Sequence, residues 1–255
     1  SVEVIRTLCH TVLDQNRTYF VPDHTFSEYE LSARLTGAQK AKTEKESTLS
    51  FICNPDNPTG VLLPKQEIIS RFSWIRSDKI LCIDEAFIDL SDPSQSVSDI
   101  RDPRLFVLRS LTKSFAIPGI RFGYGIGDPD LIASMEVMRP PWTVNAFAEK
   151  VVLSAFSKYH DLEYSRKMIE EEKTRLMETI TTVGWSCSKA SANYLLIETD
   201  RPSGYITDLF FKNDILVRDC SSFGLSTSIR IAIRTKEEND RFIEVLEKIS
   251  ACLHS

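Results

Sequence analysis

Apolar residues recur at helical spacing near the start of the chain, at Val2, Ile5, Cys9, Val12 and Leu13, and the pattern breaks at Asp14-Gln15-Asn16. A β-rich run follows from Thr18 to Val21, so the segment predicts a helix feeding a strand. Four further runs, Leu49 to Cys53, Ile80 to Ile83, Leu105 to Leu108 and Phe122 to Ile126, are continuous and not alternating. Strands covered on both faces have this texture, and they predict a parallel sheet.

Helical stretches separate these strands. Pro64 opens one that runs through Arg76, and Pro129 opens another that runs through Met138, each proline suiting a first-turn position. After Val144 the pattern is helical, first apolar (Ala146 to Phe156), then dense in Glu, Lys and Arg (Asp161 to Val183), with Gly184 as the stop. The charged helix reads as a connector. Beyond it, strands are expected at Asn193 to Glu198, Ile215 to Arg218 and Ser228 to Ile233, and helices at Ser203 to Phe211 and Lys236 to Leu253. The expectation is an α/β fold: a large domain over 1–157 with a mostly parallel sheet, then a connector and a smaller α+β domain over 158–255. The polar run Lys40 to Glu46 is expected to be an exposed loop.

Composition narrows the function. The 255 residues are 42% hydrophobic, ample for a buried core, and 31 basic against 36 acidic residues leave a net charge of −5. That balance argues against a nucleic-acid partner. No apolar run approaches the roughly 18 residues of a membrane span, and no basic-then-apolar leader opens the chain. The six cysteines are far apart, without a Cys-x-x-Cys pair, as buried thiols are in a reducing compartment, so a cytoplasmic location is expected. The four histidines are widely separated, and no metal site is expected.

Three strings carry chemistry. NPDNPTG, Asn54 to Gly60, directly follows a buried strand, and its proline steps make a rigid turn series able to hold the Asn57 amide at the mouth of the sheet. In IDEAFIDL, Ile83 to Leu90, the acids Asp84 and Glu85 stop a strand at its carboxyl end, where open α/β sheets bind ligands. One carboxylate there has a cationic partner or a task. In SLTKSFAIPGIRFGYGIG, Ser110 to Gly127, the hydroxyls of Ser110 and Thr112 flank Lys113 at a strand end, with Arg121 eight residues on. A lysine so placed suits an amine bound covalently beside a phosphate.

In this order the strings resemble the fold type I pyridoxal-phosphate enzymes, specifically the histidinol-phosphate aminotransferase branch, and within it most closely the threonine-phosphate decarboxylases of cobalamin biosynthesis. The resemblance implies pyridoxal 5'-phosphate carried on Lys113 as a Schiff base, Asp84 paired with the pyridine nitrogen, and Asn57 bonded to the ring hydroxyl. It implies a phosphate held by Ser110, Thr112, Arg121 and the helix start at Ser1 and Val2, and Phe26 stacked on the ring. A carboxylate at the pyridine nitrogen fits the cofactor's role as an electron sink, and helix-terminal N–H groups favour an anion.

LVRDCSSFGL (Leu216 to Leu225), SIRIAIRTKEEN (Ser228 to Asn239), and Phe87 where the aminotransferases more often carry tyrosine point within the branch to the decarboxylases. By period two, Arg230 and Arg234 are expected on one strand face, Arg230 for a substrate carboxylate and Arg234 for its phosphate. The leading expectation is therefore decarboxylation of L-threonine O-3-phosphate to (R)-1-aminopropan-2-ol O-phosphate. The alternatives are a histidinol-phosphate aminotransferase and a catalytically silent ligand-binding domain of the same fold. A small phosphorylated amino acid as substrate and a homodimer are expected. Compared with the family, a preceding N-terminal segment is expected to be absent from this sequence, and the stretch from Tyr29 to Asn54 is shorter than the resemblance leads one to expect.

Overall fold

The computed structural model describes residues 1–254 and divides into two compact units, Ser1–Pro55 with Leu63–Leu162, and Asp56–Leu62 with Glu163–Ser255. In the first unit the strands are β1 (Thr18–Phe20), β2 (Gln39–Lys40), β3 (Leu49–Cys53), β4 (Ile80–Asp84), β5 (Leu105–Ser110) and β6 (Gly123–Ile126). They form one sheet in the order β2-β1-β3-β4-β5-β6. Every pairing is parallel except the last: β6 runs antiparallel to β5, with Ser110 opposite Gly123. An antiparallel return needs no crossover helix, and residues 111–122 supply only two short helical turns, Leu111–Ser114 and Pro118–Ile120, before the chain doubles back.

The helices of this unit are α1 (Val2–Val12), α2 (Glu28–Arg34), α3 (Lys65–Arg71), α4 (Leu111–Ser114), α5 (Pro129–Met138) and α6 (Ala146–Ser157). The continuous apolar strands have a simple cause. Phe51, Cys82, Phe106 and Leu108 pack into one core with Ile5, Leu8 and Cys9 of α1, while Ile52, Leu81, Ile83, Leu105 and Val107 pack into another with Ile68 of α3. Alternate side chains thus enter two different cores, one on each face of the sheet.

Two segments depart from the sequence expectation. The helix opened by Pro64 ends at Arg71 and not Arg76; beyond it the chain continues in turns, with the Ser70 and Ser73 hydroxyls donating to carbonyls three residues back. The polar run Lys40 to Glu46 is not simply an exposed loop. Lys40 belongs to β2, and Glu44 receives the Arg71 guanidinium at 2.6 Å and lies 3.8 Å from the ammonium of Lys79, whose side chain is wholly buried.

The second unit contains α7 (Leu162–Thr182, all but its first residue), β7 (Ser186–Cys187), β8 (Tyr194–Glu198), α8 (Ser203–Phe211), β9 (Arg218–Asp219), β10 (Ser228–Ala232) and α9 (Lys236–His254). Its sheet is antiparallel throughout, in the order β7-β8-β10-β9. Leu176 and Ile180 of α7, Leu195 and Ile197 of β8, Phe210 of α8, Ile229 and Ile231 of β10 and Phe242 and Leu246 of α9 form its core. Among the described residues no helix is long and apolar enough to cross a membrane, and no group of three or more His, Cys, Asp or Glu could hold a metal ion.

Candidate active site

Parallel pairing places the carboxyl ends of β3, β4 and β5 along one edge of the first unit's sheet: Cys53 is opposite Asp84, and Asp84 is opposite Leu108. The chain leaves β4 directly into Asp84-Glu85 and leaves β5 directly into α4, which carries Lys113. The two acids have opposite fates. Glu85 is fully buried and paired with Arg109 at 3.0 Å, with further bonds from the Ser96 hydroxyl and the Val97 amide. Asp84 is 4% exposed, and its side chain accepts from the Tyr29 phenol at 2.6 Å and the Ala86 amide at 2.9 Å. Burial raises its pKa, opposed by those two donors. No lysine or arginine pairs with it among the described residues. A buried carboxylate held by neutral donors alone is suited to an incoming cation.

Lys113 is exposed at the end of α4, its ammonium 5.9 Å from the centre of the Phe87 ring, three residues beyond Asp84. Ser114, beside it, is buried and donates to Asp89 at 2.8 Å; the Tyr159 phenol donates to the same carboxylate at 2.7 Å, and Arg109 pairs with it. The turn carrying Lys113 is therefore anchored by a buried network of Glu85, Asp89, Arg109, Ser96, Ser114 and Tyr159.

The donors expected to hold a phosphate lie in the same unit. Ser110 and Thr112 share a hydrogen bond of 2.9 Å between hydroxyls. Arg121 is exposed, in a left-handed conformation (φ 56°), with one guanidinium nitrogen on the Pro118 carbonyl at 2.9 Å. Ala116 is also left-handed (φ 51°), a conformation costing a non-glycine residue roughly 1 kcal/mol, so the path from Lys113 to β6 is held against local preference. Gly123 allows the start of α1 to approach: a Cβ there would stand 2.5 Å from the Ser1 nitrogen. Val2 begins α1, and Phe26 meets Tyr29 edge-on at 5.4 Å. A cavity of about 730 Å³ shares Ser1 and Arg121 with this cradle but otherwise runs along α1 and α5, past Thr7 and Met135; Asp84 and Lys113 are not in its walls.

The second unit holds the remaining expected residues. In the turn Asp56–Leu62 the Asp56 carboxylate caps Thr59, and Gly60 (φ 74°) has no room for a side chain, since a Cβ would lie 2.6 Å from that of Ala190. Asn57 is 9% exposed, and its amide oxygen accepts from Arg230. The Arg230 guanidinium lies 4.9 Å from the Tyr194 ring centre and 5.9 Å from that of Phe223. Arg234 lies two residues beyond the end of β10, on the exposed side of the molecule. β10 ends at Ala232, Asn239 captures both the N–H and the C=O of Arg234, and the guanidinium makes an exposed ion pair with Glu238 at 2.7 Å.

Residues 1–246 match the model of the aminotransferase class I and II family. The chain belongs to that family. Class I and II aminotransferases are pyridoxal-phosphate enzymes of fold type I, and the α/β architecture with its mostly parallel sheet is theirs. Among relatives, the histidinol-phosphate aminotransferase of Symbiobacterium thermophilum is 28% identical over 265 residues, 97% of this chain and 73% of that protein. Among solved structures, the histidinol-phosphate aminotransferase of Clostridium acetobutylicum superposes with a TM-score of 0.88 at 27% identity, over 98% of this chain and 81% of that one. The L-threonine-O-3-phosphate decarboxylase of Porphyromonas gingivalis reaches 0.80 at 21% identity, over 97% and 80%, a likeness of fold alone.

These comparisons overturn the expectation of a decarboxylase. Of the residues behind that expectation, Phe223 flanks Arg230, Arg234 is tied to Glu238, and Phe87 lies beside Lys113. Tyr29, Asp89 and Arg109 went unforeseen. The available signals were an arginine ending an apolar run and three acids within one buried octapeptide, which require a cation nearby.

Proposed function

We propose that the chain is a pyridoxal-phosphate aminotransferase that moves an amino group from a small phosphorylated amine to a 2-oxo acid, with histidinol phosphate and 2-oxoglutarate as the pair to test. One observation carries the catalytic part: a buried carboxylate, Asp84, unpaired with any side-chain cation among the described residues, on the strand beside the one whose end bears the Lys113 turn. The relatives' names support the choice of substrate. When bound, the cofactor supplies an electron sink for charge left at the substrate Cα. Asp84 would keep the ring nitrogen protonated. Lys113 would hold the cofactor, and its amine, once free, would take and return the proton at the substrate Cα; a base for that proton is what amino-group exchange requires and loss of carbon dioxide does not. Ser110, Thr112, Arg121 and the α1 start at Ser1 and Val2 would hold the cofactor phosphate, Phe26 would lie against the ring and Asn57 would serve its hydroxyl. Arg230 offers a planar fork to the substrate anion.

We also propose a homodimer. Val137, Trp142 and Phe147 of the first unit are 85%, 94% and 82% exposed, within a few residues of one another along the chain, and large exposed apolar groups of this kind mark association surfaces.

Incubation with histidinol phosphate and 2-oxoglutarate is expected to yield glutamate, carried by a species that sediments as a dimer. Release of carbon dioxide from threonine phosphate without an oxo acid, and no glutamate from the first pair, would overturn the reading. Borohydride reduction of the holoenzyme followed by peptide mapping is expected to fix the pyridoxyl group on Lys113. Recovery of the label on another lysine would remove Lys113 from its role.

A further inference from the structure

Tyr29 lies on α2, fully buried, with its phenol 2.6 Å from the Asp84 carboxylate across 55 residues of sequence. Its ring stacks on Phe51 at 4.8 Å with 8° between planes and takes Phe26 edge-on. A phenylalanine would satisfy all of those ring contacts. The hydroxyl is the extra group, and a buried hydroxyl is costly without a partner. Its partner is Asp84, and 2.6 Å falls in the range of an O–H bond to an ionised acceptor. The phenol keeps its proton: burial, then the charge of Asp84, push its pKa well above the ordinary value. Tyr29 is therefore a donor and not an acid.

We infer that Tyr29 is a positioning residue for catalysis: its phenol donates to Asp84 and keeps that carboxylate ionised toward the ring nitrogen of the cofactor. The inference rests on the reading of Asp84 as the ring partner. One side-chain oxygen of Asp84 takes the Tyr29 phenol and the other takes the Ala86 amide, two neutral donors that stabilise negative charge without neutralising it. A carboxylate stabilised in this way is a weaker base, and the proton it shares with the ring nitrogen stays on the ring. Without the phenol the same carboxylate draws the proton toward itself, and the sink weakens. The phenol acts through Asp84 and need not touch cofactor or substrate.

The test uses holoenzyme loaded with pyridoxal phosphate labelled with ¹⁵N in the ring, comparing wild type, Tyr29→Phe and Asp84→Asn. In Tyr29→Phe the ring nitrogen resonance is expected to move toward its unprotonated position, with the proton partition changed about tenfold, the worth of one bond to a charged group. Turnover is expected to fall by a similar factor or less, with little change in KM. Replacing Tyr29 with a fluorinated tyrosine, a stronger donor, is expected to move the resonance the opposite way, and it decides the matter even where Tyr29→Phe folds poorly. If Asp84→Asn shifts the resonance while both changes at Tyr29 leave it in place, the inference is wrong and the reading of Asp84 stands. If none of the three moves it, the reading of Asp84 falls and takes the inference with it.

Discussion

Asp84→Asn is expected to lower turnover by on the order of 10²–10³-fold while leaving the fold in place and the cofactor bound. The size is that seen when one preorganised electrostatic contact to developing charge is removed, about 3–4 kcal/mol. Asparagine keeps the shape and one oxygen for the Ala86 amide, and its NH₂ can donate to the Tyr29 phenol, which accepts as readily as it donates. What disappears is the negative charge. The measurement is kcat beside cofactor absorbance and near-ultraviolet circular dichroism; near-normal turnover with the cofactor bound would show that another group faces the ring nitrogen.

Arg109→Met is expected to have the largest effect on stability. Arg109 is 8% exposed and joins Glu85 and Asp89, themselves 0% and 2% exposed, so its removal takes a shared guanidinium from two buried carboxylates. Burial opposes the guanidinium charge, but Asp89 and Glu85 outweigh burial and hold the pKa of Arg109 above its ordinary value. Breaking a buried pair from one side costs about 3–5 kcal/mol, against a total of roughly 5–15 kcal/mol for a folded domain. Denaturant unfolding of the apo protein measures it. Adding Glu85→Gln and Asp89→Asn to the same chain is expected to restore part of the loss, because neutral amides tolerate the missing cation. A single substitution costing no more than an exposed ion pair would refute this account of the cluster.

The sheet was legible because burial on both faces leaves an uninterrupted apolar signature, and each of β3, β4 and β5 begins where its run begins. Lys113 and Asp84 were legible because chemistry at a strand end interrupts that signature abruptly. Tyr29 carried no such mark. It sits in α2, a short helix with no side-chain cap bond at Ser27, and its significance comes entirely from a partner 55 residues away. The antiparallel course of β6 was equally hidden, since strand direction depends on how residues 111–122 turn. The Arg234–Glu238 ion pair was hidden as well, since it follows from the Asn239 amide, five residues on, binding the Arg234 backbone. The reaction was not legible in the strings near Arg230 and Phe87, whose rings lie beside a guanidinium and an ammonium.

The turn Asp56–Leu62 gives the protein a particular order of maturation. Its carbonyls accept from the Ser188 hydroxyl, the Ser191 amide and the Tyr194 phenol, and Asn57 accepts from Arg230, 173 residues downstream. At a synthesis rate of roughly 5–20 residues per second, the turn leaves the ribosome on the order of ten seconds before Arg230 has been made. Through that interval the nascent chain holds β3 and the start of α3 with the intervening turn unsatisfied, and the closing contacts are among the most distant in sequence that the fold makes. Such contacts form slowly, because a long loop must close before they can. A fragment beginning at Glu163 therefore lacks the acceptors for Ser188, Ser191 and Tyr194, and is expected to unfold at lower denaturant than the same residues joined to the turn.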